Sequence, residues 1–213
     1  MSLAQSQPID YALHDPDVRL MLQVKSGDGA AFEELVLRYQ NRLLTVLEHL
    51  VNNREQAEDL AQEVFLRVFR ARERYEPGAK FSTWLFTIAN NVASNALRSR
   101  SRRREVGVPE GGGSESTPMS LDQLAKAASA LMPARRLDRA EQAAMVRQAV
   151  SALSDRQRTA LLLSKFENMS YQDIAETMGL SVQAIKSLLS RARGNLKEIL
   201  TPYIEHGTPL EGQ

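Results

Sequence analysis

The chain has 213 residues, 43% of them hydrophobic and 25% charged, with a formal net charge of +1 and no cysteine. This is the composition of a water-soluble globular protein with room for one large or two small domains. It excludes disulfides and thiolate chemistry, and its overall charge points to no nucleic-acid partner, so the distribution of charge carries the information.

Met1 to His14 reads as a flexible tail, and it has no basic start followed by an apolar core, so no signal peptide is expected. No apolar run is long enough to span a bilayer, so no membrane insertion is expected, and the missing cysteine suits a reducing cytoplasm. Asp15-Pro16-Asp17 supplies a helix cap, a first-turn proline and an acid for the helix dipole, which predicts a helix over Pro16 to Lys25. After the break at Ser26 to Gly29, Phe32, Leu35, Val36, Tyr39, Leu43, Val46, Leu47 and Leu50 recur at helical spacing as far as the break at Asn52-Asn53.

Arg54 to Arg72 is helical again, with Ala57, Leu60, Ala61, Val64 and Val68 as the expected core stripe. Phe65, Leu66 and Phe69 widen the apolar arc; a central core position is the expectation for Phe65 and Phe69, and a face kept for a partner is the alternative. Asp59, Gln62 and Glu63 form a polar patch that, by itself, reads as a solvated face. Tyr75 to Lys80 carries a turn signal, and a helix is expected from about Ser82 toward Arg104, buried through Leu85, Ile88, Ala89, Val92 and Ala96.

The other faces of that helix carry Asn91, Asn95 and Arg98, and its end carries Arg102 and Arg103. Aromatics beside such a helix provide what a single-stranded nucleic-acid site needs: stacking planes, amide donors and phosphate clamps. Phe81 is expected in the core, whereas Tyr75 and Trp84 read equally well as core or as stacking surface.

Glu105 to Arg139 changes character: Gly111-Gly112-Gly113-Ser114 and the following Ser, Thr and Pro mark a linker, with a weak helix conceivable over Ser120 to Met132. Ala140 to Leu153 is helical, and Ser154 to Gln157 is a capping-box candidate opening a helix through Phe166. Ser170 with Asp173 forms a second such box, Gly179 ends a short helix in a left-handed turn, and Ser181 caps the next. Two helices joined by a tight glycine turn make a helix-turn-helix. In its second helix Val182, Ile185, Leu189, Ala192 and Leu196 line the apolar side. Gln183, Ser187, Ser190 and Arg191 fall opposite, with Lys186 on the rim, and such groups can bond base edges and phosphates or simply stay wet. Pro202, Gly207 and Pro209 argue against a long final helix.

His14, His49 and His206 are scattered, and no phosphate loop or nucleophile signature occurs, so no metal, cofactor or enzyme reading has support.

Three segments, in this order, give the chain a family resemblance: Ala57-Glu58-Asp59-Leu60-Ala61-Gln62-Glu63-Val64-Phe65, then Phe81 to Asn91 (FSTWLFTIANN), then Ser170-Tyr171-Gln172-Asp173-Ile174-Ala175. Over about residues 17–104 and 141–200 the chain resembles the extracytoplasmic-function group of bacterial sigma factors. The resemblance implies an all-α fold of two small helical domains. Residues 15–104 would be the domain for core polymerase and the −10 element, and 140–205 the helix-turn-helix domain for the −35 element. A flexible linker over 105–139 and tails at 1–14 and 206–213 complete it, and no appended sensory domain is expected.

The resemblance further implies that Asp59, Gln62 and Glu63 meet the clamp helices of core RNA polymerase, with the flap as a second contact. It puts Tyr75, Trp84, Asn91 and Asn95 at a flipped −10 base, with Arg98, Arg102 and Arg103 on the backbone. It puts Lys186, Ser187, Ser190 and Arg191 at the −35 reading positions, beside the outward-facing Gln183. Promoter DNA and an anti-sigma factor are the other implied partners, and no catalysis is implied. Ser190 stands where relatives can carry a bulkier group, so the −35 preference does not carry over, and Asn168 stands where glycine is frequent. The rival readings are a stand-alone helix-turn-helix regulator, which would dimerise and bind duplex unaided, and a polymerase-binding decoy.

Overall fold

A computed structural model describes residues 11–105 and 133–206; of residues 101, 103–105, 133–141 and 202–206 it describes the backbone only. The linker expected at 105–139 therefore lies largely outside the described residues, as does the weak helix at Ser120 to Met132.

The described residues form helices throughout: α1 (Tyr11–His14), α2 (Pro16–Lys25), α3 (Gly29–Val51), α4 (Arg54–Ala71), a 3-10 turn (Arg72–Arg74), α5 (Phe81–Glu105), α6 (Pro133–Ser151), α7 (Asp155–Lys165), α8 (Tyr171–Met178) and α9 (Val182–His206). Asp15 caps α2 by accepting from the Asp17 amide at 2.9 Å, and its other oxygen accepts from the Phe81 amide at the start of α5, at 3.0 Å. One carboxylate thus fixes the first turns of two helices and sets their mutual position. Asp28 and Asn53 cap α3 and α4 with their side chains, and Asn52 closes α3 in the left-handed conformation at φ 54°.

Helices α2 to α5 pack around Val18, Met21, Leu35, Leu43, Leu47, Val64, Leu85 and Phe86, all nearly sealed from solvent. Helices α6 to α9 pack around Leu153, Leu162, Leu163, Ile174, Ile185 and Leu189. The two helical blocks then dock on each other, α3 against α7 and α5 against α8, and their apolar cores are continuous. No single-helix pattern encodes that docking.

Three expectations need correction. Tyr11 to His14 is one helical turn rather than tail, because Tyr11 and Ala12 pack on the core and the Asp15 amide closes on the Tyr11 carbonyl at 2.9 Å. Helix α6 starts at Pro133, ahead of the expected Ala140. Helix α9 runs through Pro202 to His206, because its apolar side continues through half-buried Leu196, Ile199 and Leu200 and a cooperative ladder survives one missing amide.

Glu48 is buried on α3 with neither oxygen hydrogen-bonded and its nearest cation, Arg54, 3.8 Å away. Burial raises its pKa above the usual carboxylate range, against the opposing pull of Arg54. The folded chain therefore holds this proton to higher pH than the unfolded one, and the group's contribution to stability is lost as pH rises through the raised value. Glu48→Met is predicted to stabilise the chain by about 1 kcal/mol at pH 7. The gain should shrink as pH falls toward the unfolded glutamate value, which thermal unfolding at pH 5 and pH 7 checks.

Candidate nucleic-acid interface

Helix α5 is built to present one side chain set while burying the opposite one. Leu85, Phe86, Ala89, Val92 and Ala93 are buried, whereas Asn91, Asn95, Arg98 and Arg102 are exposed. Their spacing keeps the exposed four on adjoining turns of one side of the helix, so amides and guanidinium groups form a continuous stripe. Arg103 belongs to the same helix, but its side chain is outside the described residues.

The aromatics at the start of α5 separate into two kinds. Phe81 is core, as expected, with its ring 5.2 Å from that of Tyr39. Trp84 is half-buried, 4.8 Å from the Tyr75 ring and 6.0 Å from the Phe81 ring. Tyr75 is 2% exposed, and its hydroxyl has no hydrogen-bond partner. Its backbone carbonyl accepts from Lys25 Nζ at 2.8 Å, which ties the loop to α2. The expectation that Tyr75 offers a stacking plane is corrected for this conformation: the ring is packed edge-on against Trp84, and burial pushes its hydroxyl pKa up. Trp84 is the aromatic within reach of solvent.

Helix α8 begins with the expected reciprocal box: the Asp173 amide donates to Ser170 Oγ at 3.1 Å, and the Ser170 amide donates to Asp173 Oδ2 at 3.2 Å. Gly179 ends the helix at φ 63°, a conformation only glycine adopts cheaply, and Ser181 Oγ accepts from the Ala184 amide at 3.2 Å to start α9. Asn168 takes φ 51° in the preceding turn, as its tolerance for left-handed geometry allows. On α9, Ile185, Leu189 and Ala192 are sealed, and Gln183, Lys186, Ser190 and Arg191 are exposed. Ser187 is half-buried, at the edge of that exposed face, and Arg193 is exposed.

On α4 the polar trio Asp59, Gln62 and Glu63 is exposed, with Glu63 accepting from Arg67 Nε at 3.0 Å. Phe69 is not the core residue expected. It is 40% exposed, its ring lies 5.1 Å from that of Phe32, and the Arg72 guanidinium stands 4.1 Å above it. Leu66 is 55% exposed on the same helix. Polar trio and apolar pair give α4 a mixed outer surface; the wide apolar arc in the sequence was the signal for it.

A cavity of about 640 Å³ lies where the blocks meet, lined by Asn91, Asn95 and Arg98 of α5 and by Asp155, Arg156 and Thr159 of α7. The α5 stripe therefore borders the second block. Among the described residues no group of acids or histidines could hold a metal ion, and no helix is long and apolar enough to cross a membrane.

Residues 35–103 match the family model of Sigma-70 region 2, and residues 143–196 match that of Sigma-70, region 4. The RNA polymerase sigma-H factor of Pseudomonas aeruginosa is 34% identical over 200 residues, spanning 89% of this chain and 96% of its own length. The ECF RNA polymerase sigma-E factor of Haemophilus influenzae is 31% identical, spanning 88% of this chain and 97% of its own. Among solved structures, the sigma factor RpoE of Bartonella quintana, in complex with the anti-sigma factor NepR, superposes with a TM-score of 0.59 at 28% identity, covering 80% of this chain and 96% of that one.

The buried, unpartnered Tyr75 hydroxyl makes a sharp prediction. Tyr75→Phe should leave stability unchanged or raise it by up to about 1 kcal/mol, because removing an unsatisfied buried polar group has no compensating loss. Tyr75→Ala should cost about 3–5 kcal/mol through the cavity left beside Trp84. Denaturant unfolding of both variants checks the pair.

Proposed function

The chain belongs to the extracytoplasmic-function group of RNA polymerase sigma factors, and from that premise we propose how its surfaces divide the work of starting transcription. Sigma factors are non-catalytic initiation factors: polymerase makes the bonds, and the sigma factor supplies promoter recognition. In this chain residues 15–104 act as the unit for core polymerase and the −10 element, and residues 140–205 as the unit for the −35 element. Within the first unit, Asp59, Gln62 and Glu63 on α4 take the clamp helices of polymerase. Acidic and amide groups complement a basic partner, and the exposed Leu66 and Phe69 beside them add apolar contact.

Asn91 and Asn95 hydrogen-bond an unpaired −10 base, Trp84 offers the stacking plane, and Arg98, Arg102 and Arg103 hold the backbone. Stacking and amide bonds together offset an unstacking cost of a few kcal/mol. Tyr75 joins them only if its loop swings out from Trp84. Gln183, Lys186, Ser187, Ser190 and Arg191 read the −35 duplex, and the second unit meets the polymerase flap. The chain works in the cytoplasm, where polymerase is, and it catalyses nothing itself. The solved RpoE is held by an anti-sigma factor, and a regulator of that kind is the partner proposed for this chain.

The observation that carries this reading is the exposed stripe of Asn91, Asn95, Arg98 and Arg102 running along one buried-backed helix. Purified chain added to core polymerase should yield transcripts from discrete promoters. Asn91→Ala and Arg191→Ala should each lower run-off transcript yield about 10- to 100-fold, the worth of about 1–3 kcal/mol of base contact, while polymerase binding stays intact. Absence of promoter-specific transcripts across a genomic template library would sink it.

A further inference from the structure

We propose that Lys25 and Asp15, at the two ends of α2, are positioning residues for −10 readout: they grip the two ends of the loop from Tyr75 to Phe81 and so hold Tyr75 against Trp84. The proposal rests on the reading above for what Trp84 does; the grip itself is a property of the folded chain.

The grip is made of two hydrogen bonds to the loop backbone. At the near end Lys25 Nζ donates to the Tyr75 carbonyl at 2.8 Å. Tyr75 closes the 3-10 turn Arg72–Arg74, its amide donating to the Arg72 carbonyl at 3.2 Å, so the ammonium meets the acceptor end of that turn. At the far end Asp15 Oδ2 accepts from the Phe81 amide at 3.0 Å, while Oδ1 caps α2. Both anchors precede residues 35–103, the segment that matches Sigma-70 region 2. Both bonds also lie within the first block, so the grip does not depend on how the two blocks are docked.

Geometry gives the grip its effect. Helix α2 has ten residues, which sets its ends about 15 Å apart. The six peptide steps from Tyr75 to Phe81 reach about 20 Å when fully extended. The turn closed by the Gly78 amide on the Glu76 carbonyl, at 2.8 Å, takes up part of that length. A loop with so little slack, fixed at both ends, cannot carry the Tyr75 backbone away while the grip holds. The Tyr75 hydroxyl adds nothing, being buried with no hydrogen-bond partner. Its ring is held by edge-on packing on Trp84, 4.8 Å between ring centres, and by the bonds to its backbone. Trp84 stands on the first turn of α5, its amide donating to the Lys80 carbonyl at 3.2 Å. Its ring is therefore backed from one end of the loop and its backbone fixed from the other. A stacking plane that is already rigid spares the binding step the cost of ordering it. Asn91 and Asn95, two turns and more along α5, depend less on the grip.

Trp84 is the chain's one tryptophan, so its emission reports the grip directly. Lys25→Met should move that emission to longer wavelength as Tyr75 leaves and water enters, with helical circular dichroism unchanged. Lys25→Arg still donates and should keep the wild-type spectrum. Asp15→Asn keeps one oxygen to cap α2 but turns a donor toward the Phe81 amide, and should give the same shift as Lys25→Met. In run-off transcription with core polymerase, K25M and D15N should each lose about three- to tenfold of the preference for a native over a substituted −10 element, the worth of one hydrogen bond. The preference at −35 should stay as in wild type, and K25R should keep both. Unchanged emission in K25M overturns the proposal, as does a shift with the −10 preference intact. An equal loss at −10 and −35 also overturns it, because it marks a general loss of stability. Should D15N lose helix, K25M and K25R decide, since Lys25 is exposed. If wild type yields no promoter-specific transcript while the emission shifts occur, the function proposed above falls and the grip on Tyr75 stands, which keeps the two failures apart.

Discussion

The arrangement of this molecule depends on one buried guanidinium. Arg158 reaches back from α7 to the end of α6 and across to the end of α3, where the last carbonyls of both helices lack intrahelical partners. A helix end carries partial negative charge, so a fixed cation there meets both the unpaired acceptors and the dipole. Burial lowers the pKa of Arg158, yet arginine stays charged in any accessible pH range. Four carbonyl acceptors offset its desolvation, with Asp155 as the acid whose charge acts on it.

The same economy of charge organises the first block. Asp15 joins α2 to α5, and Asp17 accepts from the Tyr39 hydroxyl at 2.6 Å and from Arg38 at 2.6 Å, which fixes α3 against α2. With α5 pinned at its first residue and Phe81 sealed below it, the angular position of Asn91, Asn95 and Arg98 follows from helix geometry alone. The polar stripe needs no contacts of its own to be held in place. It stays solvent-exposed along the cavity between the blocks, while the rigidity comes from the opposite face.

Much of this was legible in the sequence because it is local. The capping boxes at Ser170 and Ser154, the left-handed Gly179, and the burial of Ile185 and Leu189 opposite Gln183 and Arg191 all follow from spacing within a turn or two. Tyr75 and Phe69 were not legible, because each is decided by residues far away in sequence. The Tyr75 ring packs on Trp84 while Lys25, fifty positions earlier, holds its backbone carbonyl, and Phe69 meets Phe32 of α3 yet stays 40% exposed. The docking of the blocks was hidden for the same reason: Arg42 and Glu167 are 125 positions apart, and each reads as an ordinary surface charge in its own segment.

An interface of this chemistry sits between two requirements. The two blocks share a continuous apolar core, and the apolar area buried between them opposes their separation at roughly 25 cal/mol per Å². Blocks with no contact at all would leave the α5 stripe and the polar face of α9 free to gather phosphates by charge alone. Charged pairs with imperfect satisfaction add orientation to that contact and little net stability, since their Coulomb attraction and their desolvation nearly cancel. Arg42 and Lys80, which pair across the joint, are each about half-exposed at the side chain, so solvent screens part of their attraction.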